Sequence, residues 1–216
     1  MKKTIYFFEL ICVCYFMIGC SEKELDKKLE ETFEAYIQCI KDYVSHAEYD
    51  ASDSIRYTLV YINDDNIPEL AISEGNSHAA GVRIYYYDFN QKKVIDTGDR
   101  YGENGGFSYY NRKSMIYDHY FGNGGYDNAC FCYFGSDYKV TRGRWFTSYS
   151  DEKSLHYWID FEETSKEEYD KAYTEDAQKL ADQDMISVVR EDMMGNYQIC
   201  CSKDAIIIFC QMLNES

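Results

Sequence analysis

The sequence predicts an α+β domain with an N-terminal amphipathic helix, a central antiparallel β meander and C-terminal helices packed on the sheet. Helical three- and four-residue spacing of apolar residues marks both ends of the chain. Between 54 and about 158 it gives way to short runs rich in tyrosine and β-branched residues, separated by glycine and asparagine clusters. Because helices and strands are segregated rather than alternating, these observations favour α+β over repeated βαβ units.

The first helix is predicted over 21 to about 47. Glutamates and lysines fill the gaps between its apolar residues, which gives the segment one apolar face. The residues of this face are Leu25, Leu29, Phe33, Tyr36, Ile37, Ile40, Tyr43 and Val44.

The predicted strands lie at 55–62, 69–73, 82–88, 93–97, 107–110, 114–117, 129–134, 138–147 and 155–161. A second helix is predicted over 165 to about 181, with Ser165 as its N-cap and two glutamates in its first turn. A last helix is predicted over 204 to about 213. It is apolar on too many sides to lie exposed, so we expect it against the sheet.

Composition and charge restrict the classes of partner. The 216 residues are 45% hydrophobic and 17% aromatic, enough to bury a core, and the formal net charge is −16. A strongly negative field repels phosphate backbones and anionic lipid surfaces. We therefore expect no nucleic-acid partner, and expect ligands that are neutral or cationic.

The N-terminus carries Lys2 and Lys3, an apolar run over 5–18, and then Gly19 and Cys20. This order, with Met17-Ile18-Gly19-Cys20 as its last four residues, resembles the signal peptide and lipobox of bacterial lipoproteins. The resemblance implies cleavage after residue 19 and a diacylglycerol-modified Cys20. It also implies a single extracytoplasmic domain over 20–216, anchored to the cell membrane.

An uncleaved membrane anchor, with Cys20 an ordinary thiol at its edge, is the alternative. A spanning helix needs roughly 20 consecutive apolar residues. The run over 5–18 is shorter and contains Glu9, which favours cleavage. Removal of two lysines and one glutamate with residues 1–19 takes the formal net charge from −16 to −17.

The segment 57–70 contains the one internal motif with chemistry. It resembles the segment L-x-D-I-N-x-D-G-x-P-E-L of uncharacterised surface lipoproteins from gut-type Gram-positive bacteria and, more loosely, calcium-binding integrin-like repeats. That resemblance implies a weak calcium site formed by Asn63, Asp65 and Glu69, with Tyr61 in place of the usual first aspartate. The alternative is a β-hairpin with an acidic turn at 63–66, in which Asn66 replaces the usual glycine.

The resemblance to these surface lipoproteins extends through 75–85 and the glycine-rich 122–126. It implies a cellular location but no activity, catalytic residue or further cofactor.

Six cysteines remain in the predicted mature chain after Cys20 is assigned to lipid: Cys39, Cys130, Cys132, Cys200, Cys201 and Cys210. Outside the cytoplasm they permit up to three disulfides, with the pairing open. Cys130 and Cys132 alternate as in a strand, which places both thiols on one face. Buried free thiols are favoured there. A bridge to the Cys200-Cys201 pair and a metal site shared with it are the alternatives.

Two classes of function are consistent with the sequence. Twenty-three tyrosines together with Trp145 and Trp158 suit either a half-buried sheet or a face that binds a glycan or peptide, which favours a non-catalytic binding or structural protein. The alternative is a hydrolase of cell-wall or host glycans with Asp118 and Asp127 as its acids. Separately, His119 is a candidate for an acid/base site if a strand and a loop bring it near Cys130 or Asp127.

Overall fold

The computed structural model describes residues 2–46, 55–73, 81–102, 106–122, 124–151, 154–178, 185–188 and 193. These residues form two helices, α1 (Lys2–His46) and α2 (Lys166–Gln178). The strands are β1 (Arg56–Val60), β2 (Glu69–Ser73), β3 (Val82–Asp88), β4 (Lys93–Tyr101), β5 (Gly106–Tyr110), β6 (Met115–Gly122), β7 (Tyr126–Phe134), β8 (Val140–Ser150), β9 (Leu155–Ile159), β10 (Glu162–Thr164) and β11 (Met185–Val188). The predicted α+β class is therefore confirmed.

The strands form two antiparallel sheets where the sequence predicted one meander. The first sheet has the order β1-β2-β3-β4, and the second has the order β10-β9-β8-β7-β6-β5-β11. From β1 to β4 and from β5 to β10, consecutive strands are neighbours, as in a meander. Strand β11, which was not predicted, adds to the β5 edge through the pairs from Met185↔Tyr110 to Val188↔Phe107.

Three apolar clusters stack the elements in the order α1, first sheet, second sheet, α2. The cluster between α1 and the first sheet contains Phe33, Tyr36, Ile40, Tyr57, Leu70, Ile72 and Tyr87. The cluster between the two sheets contains Val60, Ile62, Ile84, Tyr101, Ile116, Cys130, Cys132 and Phe134. The cluster under α2 contains Met115, Ala129, Phe131, Phe146 and Ala172.

Helix α1 runs without a break from Lys2 to His46. Its contacts with the first sheet follow the predicted apolar face, with Tyr36 and Ile40 each 1% exposed. The Tyr36 hydroxyl donates to the carbonyl of Pro68 at 2.9 Å, which ties the helix to the loop after β1. In the described part of the chain, no helix is both long enough and apolar enough to cross a membrane.

Helix α2 begins at its predicted cap, where the backbone N–H of Glu168 donates to the Ser165 hydroxyl at 3.2 Å. Arg144 of β8 joins the helix to the second sheet. Its guanidinium donates to Asp176 at 2.8 Å and to the carbonyl of Ala172 at 3.0 Å. The helix predicted over 204–213 lies outside the described residues.

The predicted strand over 155–161 is wrong at its end. Strand β9 stops at Ile159 and β10 begins at Glu162, with these two residues paired. Asp160 and Phe161 have φ values of 51° and 69°, so they form a two-residue turn of the type I′ pattern. Asparagine and glycine usually mark such turns, and neither residue is present here.

Candidate functional site

The structure brings Asn63, Asp65 and Glu69 together in the loop between β1 and β2, and the predicted hairpin is confirmed. Glu69 is 1% exposed, and its two oxygens accept the backbone N–H of Ile62 at 2.9 Å and the Asn63 amide at 2.8 Å. The Asn63 carbonyl accepts the backbone N–H of Asp65 at 3.0 Å. Asn66 has φ 63°, the left-handed conformation expected of it.

Asp65 completes this hydrogen-bonded loop. Its two oxygens accept the backbone N–H of Ile67 and the hydroxyl of Tyr138, both at 2.8 Å. All five side-chain oxygens of the predicted calcium ligands therefore already accept an N–H or O–H of the protein. These bonds form a self-contained turn without any cation, so the arrangement favours the hairpin; a calcium shell would have to use the remaining lone pairs of the same oxygens.

Burial raises the pKa of Glu69 to about 8, and the nearby Asp65 carboxylate adds to the rise. The backbone N–H of Ile62 opposes it by stabilising the carboxylate. A glutamate that is neutral over much of the physiological pH range attracts a divalent cation less than an ionised one. The calcium hypothesis stays a prediction.

The predicted acid pair, Asp118 and Asp127, lies on opposite faces of the second sheet. Asp118 on β6 pairs with Cys130 on β7, and Asp127 is an odd number of residues from Cys130 on the same strand. The His119 ring contacts Asp127 at 2.7 Å, as one prediction had it, and faces away from Cys130. The sheet therefore does not bring the two carboxylates together at one bond.

Cys130 and Cys132 lie on one face of β7, as predicted, and both are free and fully buried. The Cys132 thiol donates to the Cys130 sulfur at 3.8 Å, which lowers the pKa of Cys130 and raises that of Cys132. Cys39 is also free, whereas Cys200, Cys201 and Cys210 lie outside the described residues.

An open cleft of about 460 Å³ lies above these thiols at the margin of the two-sheet core. We call it the aromatic cleft. Its lining residues are Arg100, Gly102, Asp118, Arg142, Gly143, Trp145, Asp160 and Phe161. Four separate segments of the chain supply them, namely the end of β4, β6, β8 and the turn after β9.

The turn after β9 holds Phe161 at the cleft. Asp160 bonds to Trp145 twice, because its backbone N–H donates to the Trp145 carbonyl and its carboxylate accepts the Trp145 backbone N–H, both at 2.8 Å. Phe161 lies nearly parallel to the Trp145 ring, with ring centroids 6.5 Å apart and an interplanar angle of 19°. It is 82% exposed.

Arg142 forms the polar side of the cleft. Its guanidinium donates to buried Asp118 at 2.9 Å and lies 5.7 Å from the Trp145 ring. Asp118 also accepts the backbone N–H of Gly102 at 2.7 Å, so the carboxylate is fixed from two sides. Burial lowers the pKa of Arg142, but the hydrogen bond and charge of Asp118 outweigh it and the pKa is raised.

A row of rings continues from the cleft along the same face of the second sheet. We call Tyr126, Tyr149, His156 and Trp158 the ring ladder. Their rings lie 4.5 Å apart in the pair Tyr126–Tyr149, 6.4 Å in Tyr149–His156 and 5.9 Å in His156–Trp158, with interplanar angles of 21° to 28°. Tyr126 is 41% exposed, and the other three are half-buried.

Sequence reasoning singled out Trp145, Trp158 and Asp118 but missed Arg142 and Phe161. No local pattern distinguishes Arg142 from other surface residues, because its neighbours in the cleft are distant in sequence. A usable signal was the run of polar residues around Phe161, which interrupts the strand pattern.

Comparisons with protein families, curated proteins and solved structures gave no match to this chain. Within the described ranges, no group of three or more histidine, cysteine, aspartate or glutamate side chains is placed to hold a metal ion. The geometry of the aromatic cleft and the ring ladder therefore supplies the main basis for a function.

Proposed function

We propose that this chain is a membrane-anchored lipoprotein whose extracytoplasmic domain binds a glycan at the aromatic cleft and catalyses no reaction. The anchor is lipid on Cys20, residues 1–19 are the removed signal, and residues 20–216 form one domain with a last helix over 204–213 against the sheet. One observation carries the binding proposal. An exposed phenylalanine occupies a left-handed turn position beside Trp145 at the cleft.

The core contacts described for α1 are compatible with removal of the signal. They lie between Leu29 and Val44, so cleavage after residue 19 takes none of them away. Leu29 is nine positions after Cys20, which is about 14 Å of helix at 1.5 Å per residue. A lipid on Cys20 would hold the domain close to the membrane surface.

The conformation of Phe161 points to a role in binding. Left-handed backbone costs a bulky L-residue roughly 1–2 kcal/mol, and glycine or asparagine avoids most of that cost. At 82% exposure, the ring recovers little of this cost through burial. Backbone strain combined with an exposed ring at a cleft is typical of a binding site rather than of a stability element.

The chemistry of the cleft suits a sugar. The Trp145 and Phe161 rings offer apolar surface to the C–H groups of a sugar ring. Arg142 donates one short hydrogen bond, to Asp118, and its guanidinium has further N–H donors for hydroxyl oxygens. Pockets that combine aromatic walls with a few fixed polar groups bind small polar ligands with defined orientation.

The carboxylates of the cleft favour binding over hydrolysis. Asp118 accepts hydrogen bonds from Gly102 and Arg142, and Asp160 accepts one from Trp145. A glycosidase needs one carboxyl group to donate a proton and a second to act as base or nucleophile. Groups already engaged as acceptors are poorly arranged for those roles.

The binding proposal is tested by titration calorimetry of the full chain with a panel of soluble oligosaccharides, in a detergent without a sugar headgroup. We expect at least one glycan to bind, and expect Trp145→Ala or Phe161→Ala to weaken it about ten-fold or more. Phe121→Ala is the matched control, because Phe121 is 58% exposed on the opposite face of the sheet. No binding across the panel, or equal losses in all three variants, would contradict the proposal.

The anchor is tested by mass spectrometry of the N-terminus. We expect the native chain to begin at a diacylglycerol-modified Cys20, and expect Cys20→Ser to lack the lipid and to retain residues 1–19, because the thiol is modified before cleavage. Cys39→Ser, at a free cysteine outside the lipobox, should leave Cys20 modified and residues 1–19 removed. A native chain that retains Met1, or an unmodified Cys20, would contradict the anchor.

A further inference from the structure

We propose that the ligand of the aromatic cleft is an uncharged oligosaccharide chain that extends over the ring ladder, rather than a single sugar. This inference rests on the proposed glycan-binding function and adds a second binding region, a direction and a charge class. The extension is supported by the continuity of the face, the rigidity of the rings and the position of the carboxylates.

The ring ladder lies next to the aromatic cleft on the same face of the second sheet. Along β8, Trp145, Thr147 and Tyr149 alternate with residues of the other face, so they lie on one face. Thr147 pairs with Trp158, and Tyr149 pairs with His156. From Trp145 to Tyr149 the strand advances about 13 Å at 3.3 Å per residue, which places the ladder beyond the cleft along one line.

Among the described residues, the ring ladder lies outside the cluster that packs the two sheets together. Trp145 packs at the edge of the cluster between the sheets, whereas the four ladder rings do not belong to that cluster. A chain bound at the cleft would therefore meet the ladder without displacing any described element.

The rings of the ladder are held in place before any ligand arrives. Their near-parallel contacts fix each ring against the next, and Thr147 donates to Asn128 at 2.9 Å in the row beside Trp158. Rigid aromatic side chains lose little conformational entropy on binding. The Asn128 and Thr147 groups add polar contacts between the rings, which suits a ligand with both C–H and hydroxyl surfaces.

The charges along this surface favour an uncharged ligand. Asp160 lies at the cleft, and His156 at the far end contacts Asp151 at 3.3 Å and Glu163 at 3.5 Å. Within the cleft, the charges of Arg100 and Arg142 are balanced by Asp118 and Asp160. An anionic glycan would gain no net attraction at the cleft and would meet the carboxylates of Asp151 and Glu163 at the far end, in a chain of net charge −16, so the uncharged class fits best.

The test measures affinity against chain length. Neutral homo-oligosaccharides of glucose, mannose and N-acetylglucosamine, from one to six units, are titrated into the full chain in a detergent without a sugar headgroup, beside oligogalacturonates of equal length. We expect about a ten-fold or greater gain in affinity from two to six units in at least one neutral series. We expect the acidic series to bind at least about ten-fold more weakly.

Two variants of ring-ladder residues test whether the ladder causes the gain in affinity with chain length. Tyr149→Ala and Trp158→Ala should lower the affinity for the six-unit chain to that for the two-unit chain, and Phe121→Ala should leave both unchanged. NMR of the unaltered chain gives a second measurement, independent of folding in the variants. The indole N–H of Trp158 should shift with the six-unit chain and stay in place with the two-unit chain.

The outcomes separate the two proposals. Affinity that does not depend on length, unchanged affinity in both ladder variants, or equal binding of acidic chains overturns the extension. If Trp145→Ala still abolishes binding in those cases, glycan binding at the cleft stands. If no glycan binds, or if the ladder binds only a peptide, both proposals fail.

Discussion

Asp160 holds the backbone of Trp145 from both sides, with its N–H on the Trp145 carbonyl and its carboxylate on the Trp145 N–H, both at 2.8 Å. The two residues are fifteen apart in sequence and belong to different segments of the cleft. These two hydrogen bonds join the turn that contains Phe161 to the strand that contains Trp145, so the two segments form one structural unit.

Removal of the Asp160 carboxylate should loosen this unit. Asp160→Gly accepts the left-handed φ but leaves the Trp145 N–H without its partner, so we expect a loss of about 1–2 kcal/mol in the free energy of unfolding and weaker glycan binding. Asp160→Asn keeps an acceptor oxygen and tolerates the same φ, and should stay close to wild type. Urea unfolding checks both, and equal stability of the two variants would contradict the role of the carboxylate.

Phe161 should show a trade-off between stability and binding. Phe161→Gly relieves the left-handed strain at φ 69° and is expected to raise the free energy of unfolding by about 0.5–1 kcal/mol. It should at the same time weaken glycan binding about ten-fold or more. Phe161→Ala removes the ring and keeps most of the strain, so it should lose binding without the gain in stability. A Phe161→Gly chain that is less stable than Phe161→Ala would contradict the strain argument.

Gly143 is required by a close backbone approach in the cleft wall. A Cβ on this residue would lie 2.6 Å from the carbonyl oxygen of Phe131, on the neighbouring strand. Gly143→Ala should therefore cost about 1–3 kcal/mol and displace Arg142 and Trp145, with a loss of ligand affinity. The matched control is Gly122→Ala, whose Cβ meets its nearest atom at an ordinary 3.5 Å. Equal unfolding midpoints for the two variants would refute this requirement.

Glu69 should make stability depend on pH in one direction. Its pKa is about 8 in the folded chain against an ordinary value of 4.5, so between these values the folded state retains a proton that the unfolded state has lost. The free energy of unfolding should then fall as pH rises from about 4.5 to about 8, by at most about 1.4 kcal/mol per pH unit from this group.

Glu69→Gln is the control for this dependence. Glutamine does not titrate, so the free energy of unfolding of this variant should not fall between about pH 4.5 and pH 8 through this group. It should also be less stable by about 1–3 kcal/mol, because its amide would place a donor against the Ile62 N–H or the Asn63 amide. Parallel pH profiles for the two chains would contradict the assignment.

The loop of Asn63, Asp65 and Glu69 should respond weakly to calcium. Because protein donors already meet all five oxygens, we expect millimolar calcium to leave the melting temperature unchanged. Asp65→Asn tests the opposite result. A rise in melting temperature in the wild-type chain that disappears in this variant would establish the calcium site that the motif suggests.

Local patterns predicted much of the fold but little of the cleft. The apolar face of α1 and the paired thiols of Cys130 and Cys132 follow from helix and strand periodicity, and the structure confirms both. The division into two sheets was not predicted, because strand patterns carry no information on where a sheet ends. The turn at Asp160 and Phe161 was not predicted either, since tertiary contacts with Trp145 fix a conformation that local propensity disfavours.

The intrinsic fluorescence of the chain tests the central claim most directly, because its only two tryptophans, Trp145 and Trp158, lie in the cleft and in the ladder. Titration with the neutral six-unit oligosaccharides should change the emission saturably in at least one series, and the midpoint should move to about ten-fold or more higher ligand concentration in the Phe161→Ala chain but stay in place in Phe121→Ala. Emission that stays constant across all series, or that responds equally in both variants, would contradict glycan binding at the aromatic cleft.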